Sequence, residues 1–201
     1  MKKIAYIFVS LFLVSYLVFA IGYYALTDVR KIAQRAFTIG GWSTCEAGPD
    51  LWNRHMANLS YAYFYLPGSV ERYQQSGRGL ILTALNVAKC EPDDPWAPFD
   101  TKRVQRGIKL GLEHGESINR VGGAGVAAIH VAVAAGRLDI LKFVVEHGVD
   151  ISLRSTEESM FLQNATALDM AKDFQSTIEL DMRKIIEFLS EQELNRVAEG
   201  L

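Results

Sequence analysis

The chain has 201 residues, of which 49% are hydrophobic, and 21 basic against 23 acidic residues give it a net charge of −2. A chain of this length can bury one good core, with at most a satellite segment. The balanced charge argues against a nucleic-acid partner, because nucleic-acid surfaces normally show as a clustered basic face.

The first predicted element is an apolar run over residues 4–26, IAYIFVSLFLVSYLVFAIGYYAL, which contains no charged residue. As a helix rising about 1.5 Å per residue, this run is long enough for the roughly 30 Å hydrocarbon core of a bilayer. A cleaved signal peptide, with Val18 and Ala20 before the cut, is the alternative, although such signals have apolar cores of about 7–15 residues. We therefore favour an uncleaved membrane anchor within residues 1–27.

The flanking charges bear on orientation. Lys2 and Lys3 precede the run and favour a cytoplasmic N-terminus with an exported body, whereas Arg30, Lys31 and Arg35 follow it and nearly balance that bias. Our preferred interpretation is an inner-membrane anchor with the body in the periplasm. The alternatives are release into the periplasm after signal cleavage and a body that faces the cytoplasm.

Residues 28–78 are predicted to form a helical cap. This region contains an aromatic-rich stretch, DLWNRHMANLSYAYFYL, in which Leu59, Tyr63 and Leu66 have helical spacing, and the stretch breaks at Pro67. We expect most of this stripe to lie in the core and to cover one end of the segment that follows.

Two cysteines, Cys45 and Cys90, could tie the cap to the following segment. An oxidising compartment would permit a disulfide between them, and two unpaired buried thiols are the alternative. No metal site is expected, because the chain has no C-x-x-C and no nearby histidine pair.

Two patterns recur in the remainder of the chain. KLGLEHGESIN and KFVVEHGVDI share Glu-His-Gly, which places Gly115 and Gly148 33 residues apart, and TALNVAK at Thr83 recurs as TALDMAK at Thr166. A period of this size is typical of repeat arrays, in which short helix pairs bury their apolar stripes against their neighbours.

The best copy, GVAAIHVAVAAGRLDILKFVVEHGVD at residues 125–150, resembles the ankyrin repeat. The positions in register are Gly125, Ile129, His130, Ala132, Gly136, Asp139, Ile140, Leu141, Gly148, Asp150 and Ile151. Ala127 and Ala128 replace the family's Thr-Pro, so we expect a weaker start to the first helix of this copy.

The resemblance extends over residues 79–192 as about three copies and implies an all-α ankyrin-repeat helical solenoid. A polar C-terminal tail, residues 193–201, is expected to cover the far end. Because the helices stack closely, a charge placed at Gly136 or Leu141 is predicted to unfold the array.

The resemblance also implies a protein-binding module that uses its loop tips and first helices. The candidate contact residues are Trp96, Phe99, Asn119, Arg120, Arg154, Glu157 and Phe161. Arg120 and Arg154 occupy matching tips and would suit an acidic partner, whereas Trp96 and Phe99 could instead fold back onto the stack.

No catalytic chemistry is expected. His130 occupies the family's usual histidine position, which implies hydrogen bonds that tie loops together. His114 and His147 lie in successive copies, about 8–10 Å apart by helix packing, whereas zinc ligands must come within about 2.1 Å of the metal. No Ser-His-Asp or Cys-His arrangement follows from the spacing, so we expect neither an enzyme nor a cofactor.

Small exported ankyrin proteins are similar in outline to immunity proteins that neutralise toxins acting at the bacterial envelope. The expected partner is therefore one protein, for example a lipase toxin. An accessory or scaffold protein for an envelope enzyme or assembly complex is the alternative.

Overall fold

The computed structural model of the protein describes residues 2–28, 32, 58–76, 79–87, 101–159, 162–177 and 181–198, and for residues 2–12 and 26 it describes the backbone alone. The described residues form helices and turns without a strand, so the all-α prediction is confirmed for them. The predicted candidates that lie outside the described residues are Cys45, Cys90, Trp96, Phe99 and Phe161.

The helices are, in chain order, α1 (Lys2–Leu26), α2 (Ser69–Gln75), α3 (Leu80–Val87), α4 (Thr101–Glu113), α5 (Ala128–Ala134), α6 (Leu138–Glu146), α7 (Ala167–Thr177) and α8 (Arg183–Ala198). Residues 58–63 are also helical. The last helix continues past residue 192, into the segment for which a tail was predicted.

Three helix pairs form a stack. α3 packs on α4, α5 on α6 and α7 on α8, and neighbouring pairs touch through both their first helices and their second helices. Each pair therefore buries its apolar stripe against the next pair, as expected for repeats that are too short to be stable alone. This arrangement is consistent with an ankyrin-type helical fold.

Every pair contributes to one continuous core. The fully buried side chains of the stack include Leu80, Leu85, Ile108, Ile129, Ile140, Leu141, Met170 and Leu189. Removing a leucine or isoleucine side chain from water contributes about 1.5–3 kcal/mol. Gly136 does not share this environment, contrary to the prediction: it is exposed, with a φ of +66° and no atom within 4 Å of a built Cβ. This position needs glycine for its left-handed backbone in the turn between α5 and α6, and not for close packing.

A repeated cation–π contact links the outer helices. The Lys109 ammonium lies 5.7 Å from the centre of the Phe143 ring, and the Lys142 ammonium lies 5.7 Å from the centre of the Phe188 ring. Each lysine thus covers an aromatic ring of the following pair. The two lysines are 33 residues apart in the sequence, whereas the two phenylalanines are 45 residues apart, so the contact repeats between pairs although the spacing does not.

The first helix of each pair, namely α3, α5 and α7, has a different N-terminal cap. Thr166 precedes α7 and forms a capping box with Asp169: its hydroxyl accepts from the Asp169 N–H at 3.2 Å, and the Asp169 carboxylate accepts from the Thr166 N–H at 3.0 Å. Ala127 precedes α5 and offers no side-chain cap, as expected from the loss of the family's threonine. Thus α5 depends on other groups to satisfy its first turn.

A distant carboxylate caps α3. Glu116, in the loop after α4, accepts hydrogen bonds from the backbone N–H of Leu80 at 2.7 Å and of Ile81 at 3.0 Å, and from the Gln74 amide at 3.2 Å. Negative charge at a helix N-terminus is also favoured by the helix dipole. Glu116 therefore joins the cap, through Gln74, and the start of α3 to the loop that follows α4.

Glu116→Gln is expected to lower the free energy of unfolding by about 1–3 kcal/mol, because an amide group must then point N–H donors at a backbone N–H that needs an acceptor. Urea unfolding followed by circular dichroism measures the loss. Glu113→Gln is the matched control, since Glu113 is exposed at the end of α4 and its change should stay within about 0.5 kcal/mol. Equal effects of the two variants would contradict the assigned cap.

The aromatic stretch of the cap joins α1 to the stack. Tyr63, Phe64 and Tyr73 are buried, and their rings meet in edge-on pairs with centres 5.5 and 5.9 Å apart. The prediction that Leu59 and Tyr63 lie in the core is confirmed, but Leu66 is exposed. The helix ends at residue 63 and the chain turns, so Leu66 leaves the buried face on which helical spacing would have placed it.

α1 carries a run of exposed apolar side chains. They are Leu13, Val14, Leu17, Val18, Phe19 and Ile21, each between 40 and 65% exposed. Of α1, the structure describes the side chains of residues 13–25, and among the described residues no helix combines the length and apolar character required to cross a membrane.

Candidate protein-binding surface

The loops between the helix pairs carry the described candidate residues. We define the loop ridge as residues 119–126, between α4 and α5, together with residues 150–159, between α6 and α7. The tip of the first loop is a tight turn, because the Gly122 N–H donates to the Val126 carbonyl at 2.9 Å and the Gly125 N–H donates to the Gly122 carbonyl at 3.0 Å.

Hydrogen bonds hold the two halves of the loop ridge together. The Thr156 N–H donates to the Gly125 carbonyl at 2.9 Å. The Asn119 side chain accepts from the Asp150 N–H at 2.8 Å and donates to the Gly148 carbonyl at 3.4 Å. The loops of successive pairs therefore form one connected surface.

Gly125 lies where the two loops touch. Its φ is +70°, and a Cβ built on it would lie 2.4 Å from the Thr156 hydroxyl oxygen and 2.7 Å from the Ser159 backbone nitrogen. Only a residue without a side chain fits this approach, so Gly125 permits the contact between the loops.

The predicted contact residues have different surroundings. Arg120 and Glu157 are exposed, and among the described residues the Arg120 guanidinium makes no hydrogen bond or ion pair. Arg154 is exposed but donates to the Asn164 carbonyl at 2.7 Å, within its own loop. Asn119 is partly buried, with its amide used between the loops. The structure thus places all four on the loop ridge and leaves Arg120 most available to a partner.

Asp150 has a structural role on the ridge that the sequence analysis did not assign. Its carboxylate accepts from the Ser152 N–H at 2.9 Å and hydroxyl at 2.6 Å, and it lies 3.8 Å from the Arg196 guanidinium on α8. The hydrogen bonds from Ser152 hold the pKa of Asp150 below its usual value of 3.8. The signal for this turn was an aspartate two residues before a serine.

His130 ties α5 to the second loop. The buried imidazole accepts from the Ala127 N–H through Nδ1 at 3.2 Å, and its Nε2 lies 3.2 Å from the Ala165 carbonyl, to which it donates. The ring thus satisfies the backbone N–H of the residue that precedes α5, which is the bond that the third helical side chain makes in a capping box. The structure agrees with the loop-tying role that the family resemblance implies.

Burial of His130 makes stability depend on pH. Desolvation lowers the pKa of the ring below its ordinary value of 6.5. Below pH 6.5 the unfolded chain takes up a proton that the folded chain refuses, so stability is complete above this pH and falls as the pH drops towards the folded-state pKa. The slope from this one group reaches at most about 1.4 kcal/mol per pH unit.

His130→Gln is expected to flatten that decline. Glutamine at this helical position can still accept from the Ala127 N–H, as in a capping box, but it does not titrate. Unfolding free energies measured in urea from pH 7.5 to pH 4.5 would show this as a smaller difference between the two ends. A variant that loses stability with acid as steeply as the parent would contradict this role of His130.

The other two described histidines, His114 and His147, contact different residues and do not share a site. His114 Nδ1 lies 3.2 Å from the Glu71 carboxylate, and the His147 Nδ1–H donates to the Phe143 carbonyl at 2.7 Å. Among the described residues, no group of three or more His, Cys, Asp or Glu side chains could hold a metal ion.

Part of the chain matches a known family. Residues 112–171, from α4 to α7, match the family model described as ankyrin repeats (many copies). Neither the search of curated proteins nor the search of solved structures found a match. The matched segment contains the whole loop ridge. Together with the stacked helix pairs, this match supports an ankyrin-repeat protein, and such repeats suggest a protein–protein interaction module.

Proposed function

We propose that this protein binds one partner protein through the loop ridge. The observation that carries the proposal is that two successive loops are hydrogen-bonded into one surface, which presents Arg120 without a partner among the described residues. Arginine is enriched among the residues that dominate binding energies. Val121, beside it, is 38% exposed and adds apolar area.

The chemistry of the ridge favours a carboxylate on the partner opposite Arg120. An arginine can grip a carboxylate through two parallel hydrogen bonds, which fixes orientation as well as charge. Arg154 is the less available of the two arginines, because the Asn164 carbonyl already occupies one of its donors. Binding should therefore depend more strongly on Arg120 than on Arg154.

Arg120→Glu is expected to raise the Kd for the partner by about 30-fold, which corresponds to about 2 kcal/mol for a dominant contact residue. The partner is first identified by co-purification, and the Kd is then measured by calorimetry with the purified pair. Because the exposed Arg120 guanidinium makes no hydrogen bond or ion pair among the described residues, the melting temperature should not change.

Lys184→Glu is the matched control, since it reverses an exposed charge on α8, away from the loop ridge. It should leave the Kd unchanged. A Kd that stays the same in both Arg120→Glu and Arg154→Glu would show that the partner uses another surface.

We propose that α1 tethers the protein to the inner membrane, with the body in the periplasm. Leu13, Val14, Leu17 and Phe19 are all exposed, and at about 100° per residue these positions lie on several sides of the helix. A groove on a protein partner covers one side of a helix, whereas lipid surrounds it. Retention of the full chain in carbonate-washed membranes, with the body digested only after the outer membrane is opened, tests this proposal.

The specific role that we propose is neutralisation of a secreted toxin that acts at the envelope. Support for this role comes from analogy with small anchored immunity proteins. If the role is correct, cells that lack this protein should die when the partner is expressed with an export signal, and should survive when the protein is restored. Loss of an envelope enzyme activity without toxicity would instead indicate an accessory protein.

A further inference from the structure

The end of α1 is fixed to the body of the protein by several contacts. The Tyr23 hydroxyl lies 2.7 Å from the Ser60 hydroxyl, and the Tyr24 hydroxyl donates to the Leu59 carbonyl. Ala20 packs against Leu59 in a small apolar cluster. These contacts join α1 directly to the helical residues 58–63.

The body exposes aromatic and apolar groups directly beside this junction. Tyr65 is 63% exposed and Leu66 is 44% exposed, in the turn that follows residues 58–63. The Tyr65 hydroxyl donates to the Tyr61 hydroxyl at 3.1 Å, and the two rings meet edge-on with centres 5.5 Å apart. The sequence from residue 58 to residue 70, NLSYAYFYLPGSV, contains no charged residue.

This composition fits the boundary between lipid and water. A tyrosine has an apolar ring and a polar hydroxyl, and such side chains are enriched at the level of the lipid headgroups. This turn lies next to the end of α1, where an inserted helix would leave the bilayer. Two arginines flank it: Arg72 donates to the Gly68 carbonyl at 3.1 Å, and the Arg103 guanidinium lies 5.2 Å from the centre of the Tyr61 ring.

We propose that Tyr65 and Leu66 contact the headgroup region of the phospholipid bilayer beside α1, an inference that rests on the membrane tether proposed above. The protein then meets the membrane at two places, the inserted helix and the turn at residues 64–68. Two contacts restrict the tilt of the cap on the membrane more than a single helix joined by a free linker would.

The test uses the full chain in vesicles of phosphatidylethanolamine and phosphatidylglycerol. The photoreactive substitution Tyr65→p-benzoylphenylalanine is compared with Leu194→p-benzoylphenylalanine, because Leu194 is 71% exposed on α8, at the opposite end of the stack. After illumination, mass spectrometry should find lipid adducts at position 65 and none at position 194. Leu66→p-benzoylphenylalanine provides a second probe of the same turn.

The outcomes separate the two proposals. If the chain sediments with the vesicles but neither position 65 nor position 66 forms a lipid adduct, the second contact is overturned while the tether stands. Adducts to protein in place of lipid would also overturn it and would indicate a protein partner at the turn. If the chain does not sediment with the vesicles, the tether itself fails, and the inference fails with it.

Discussion

Leu141→Asp is expected to abolish the cooperative thermal unfolding of the repeat stack. Leu141 lies in α6, its side chain has no solvent exposure, and the surrounding core is apolar. A carboxylate without a partner in such a site costs several kcal/mol, even if it takes up a proton. Domains of this size have a total stability of only about 5–15 kcal/mol. Circular dichroism during heating would show a weak, broad transition in place of a steep one.

Leu194→Asp is the matched control for this variant. It makes the same chemical change on the neighbouring outer helix, but Leu194 is 71% exposed. Its melting temperature should stay close to that of the parent, since exposed substitutions usually change stability by less than about 0.5 kcal/mol. A sharp transition in Leu141→Asp at the parent temperature would mean that α6 does not form the core described above.

Gly125→Ala is expected to lower the free energy of unfolding by about 2–5 kcal/mol. Positive φ costs an alanine about 1–2 kcal/mol, and overpacking adds roughly 1–3 kcal/mol. The new methyl group would meet the Thr156 hydroxyl, which can rotate away, and the Ser159 backbone nitrogen, which cannot do so without moving the loop. Urea unfolding measures the loss of stability.

Gly148→Ala separates the cost of a positive φ from the cost of the steric contact between the loops. Gly148 has a φ of +84°, yet no atom lies within 4 Å of its built Cβ. This variant should therefore lose only the strain of about 1–2 kcal/mol. If Gly125→Ala costs no more than Gly148→Ala, the close approach of the two loops contributes nothing to stability.

The stacked helices could be predicted because the same pattern of apolar residues occurs in several copies along the sequence. Ile129, Ile140 and Leu141 follow helical spacing, and all three are fully buried. Helical spacing predicts a buried Leu66, and Gly136 is expected in packed space, but both are exposed, because neither pattern reveals where a helix stops. At Gly136 a turn has begun, and at Leu66 the helix has ended three residues earlier.

The candidate surface was less predictable, because its contacts join residues far apart in the chain. Arg120 and Arg154 match in sequence, yet only Arg154 meets a carbonyl, that of Asn164 in an enlarged loop. Glu116 caps a helix 36 residues earlier, and nothing local distinguishes it from an ordinary surface glutamate. Such pairings depend on how successive repeats stack in three dimensions, and no local pattern in a single sequence reveals that stacking.

The hydrogen bonds between the two loops affect how tightly a partner can be held. They join Thr156 to Gly125, and Asn119 to Gly148 and Asp150. Association normally loses free energy when mobile side chains and segments must become ordered at an interface. Here hydrogen bonds already order the two loops in the free protein. Most of the conformational entropy is therefore lost when the chain folds, and little more is lost when a partner binds. Rigidity acquired in advance favours slow dissociation, which suits a protein whose proposed task is to keep its partner occupied.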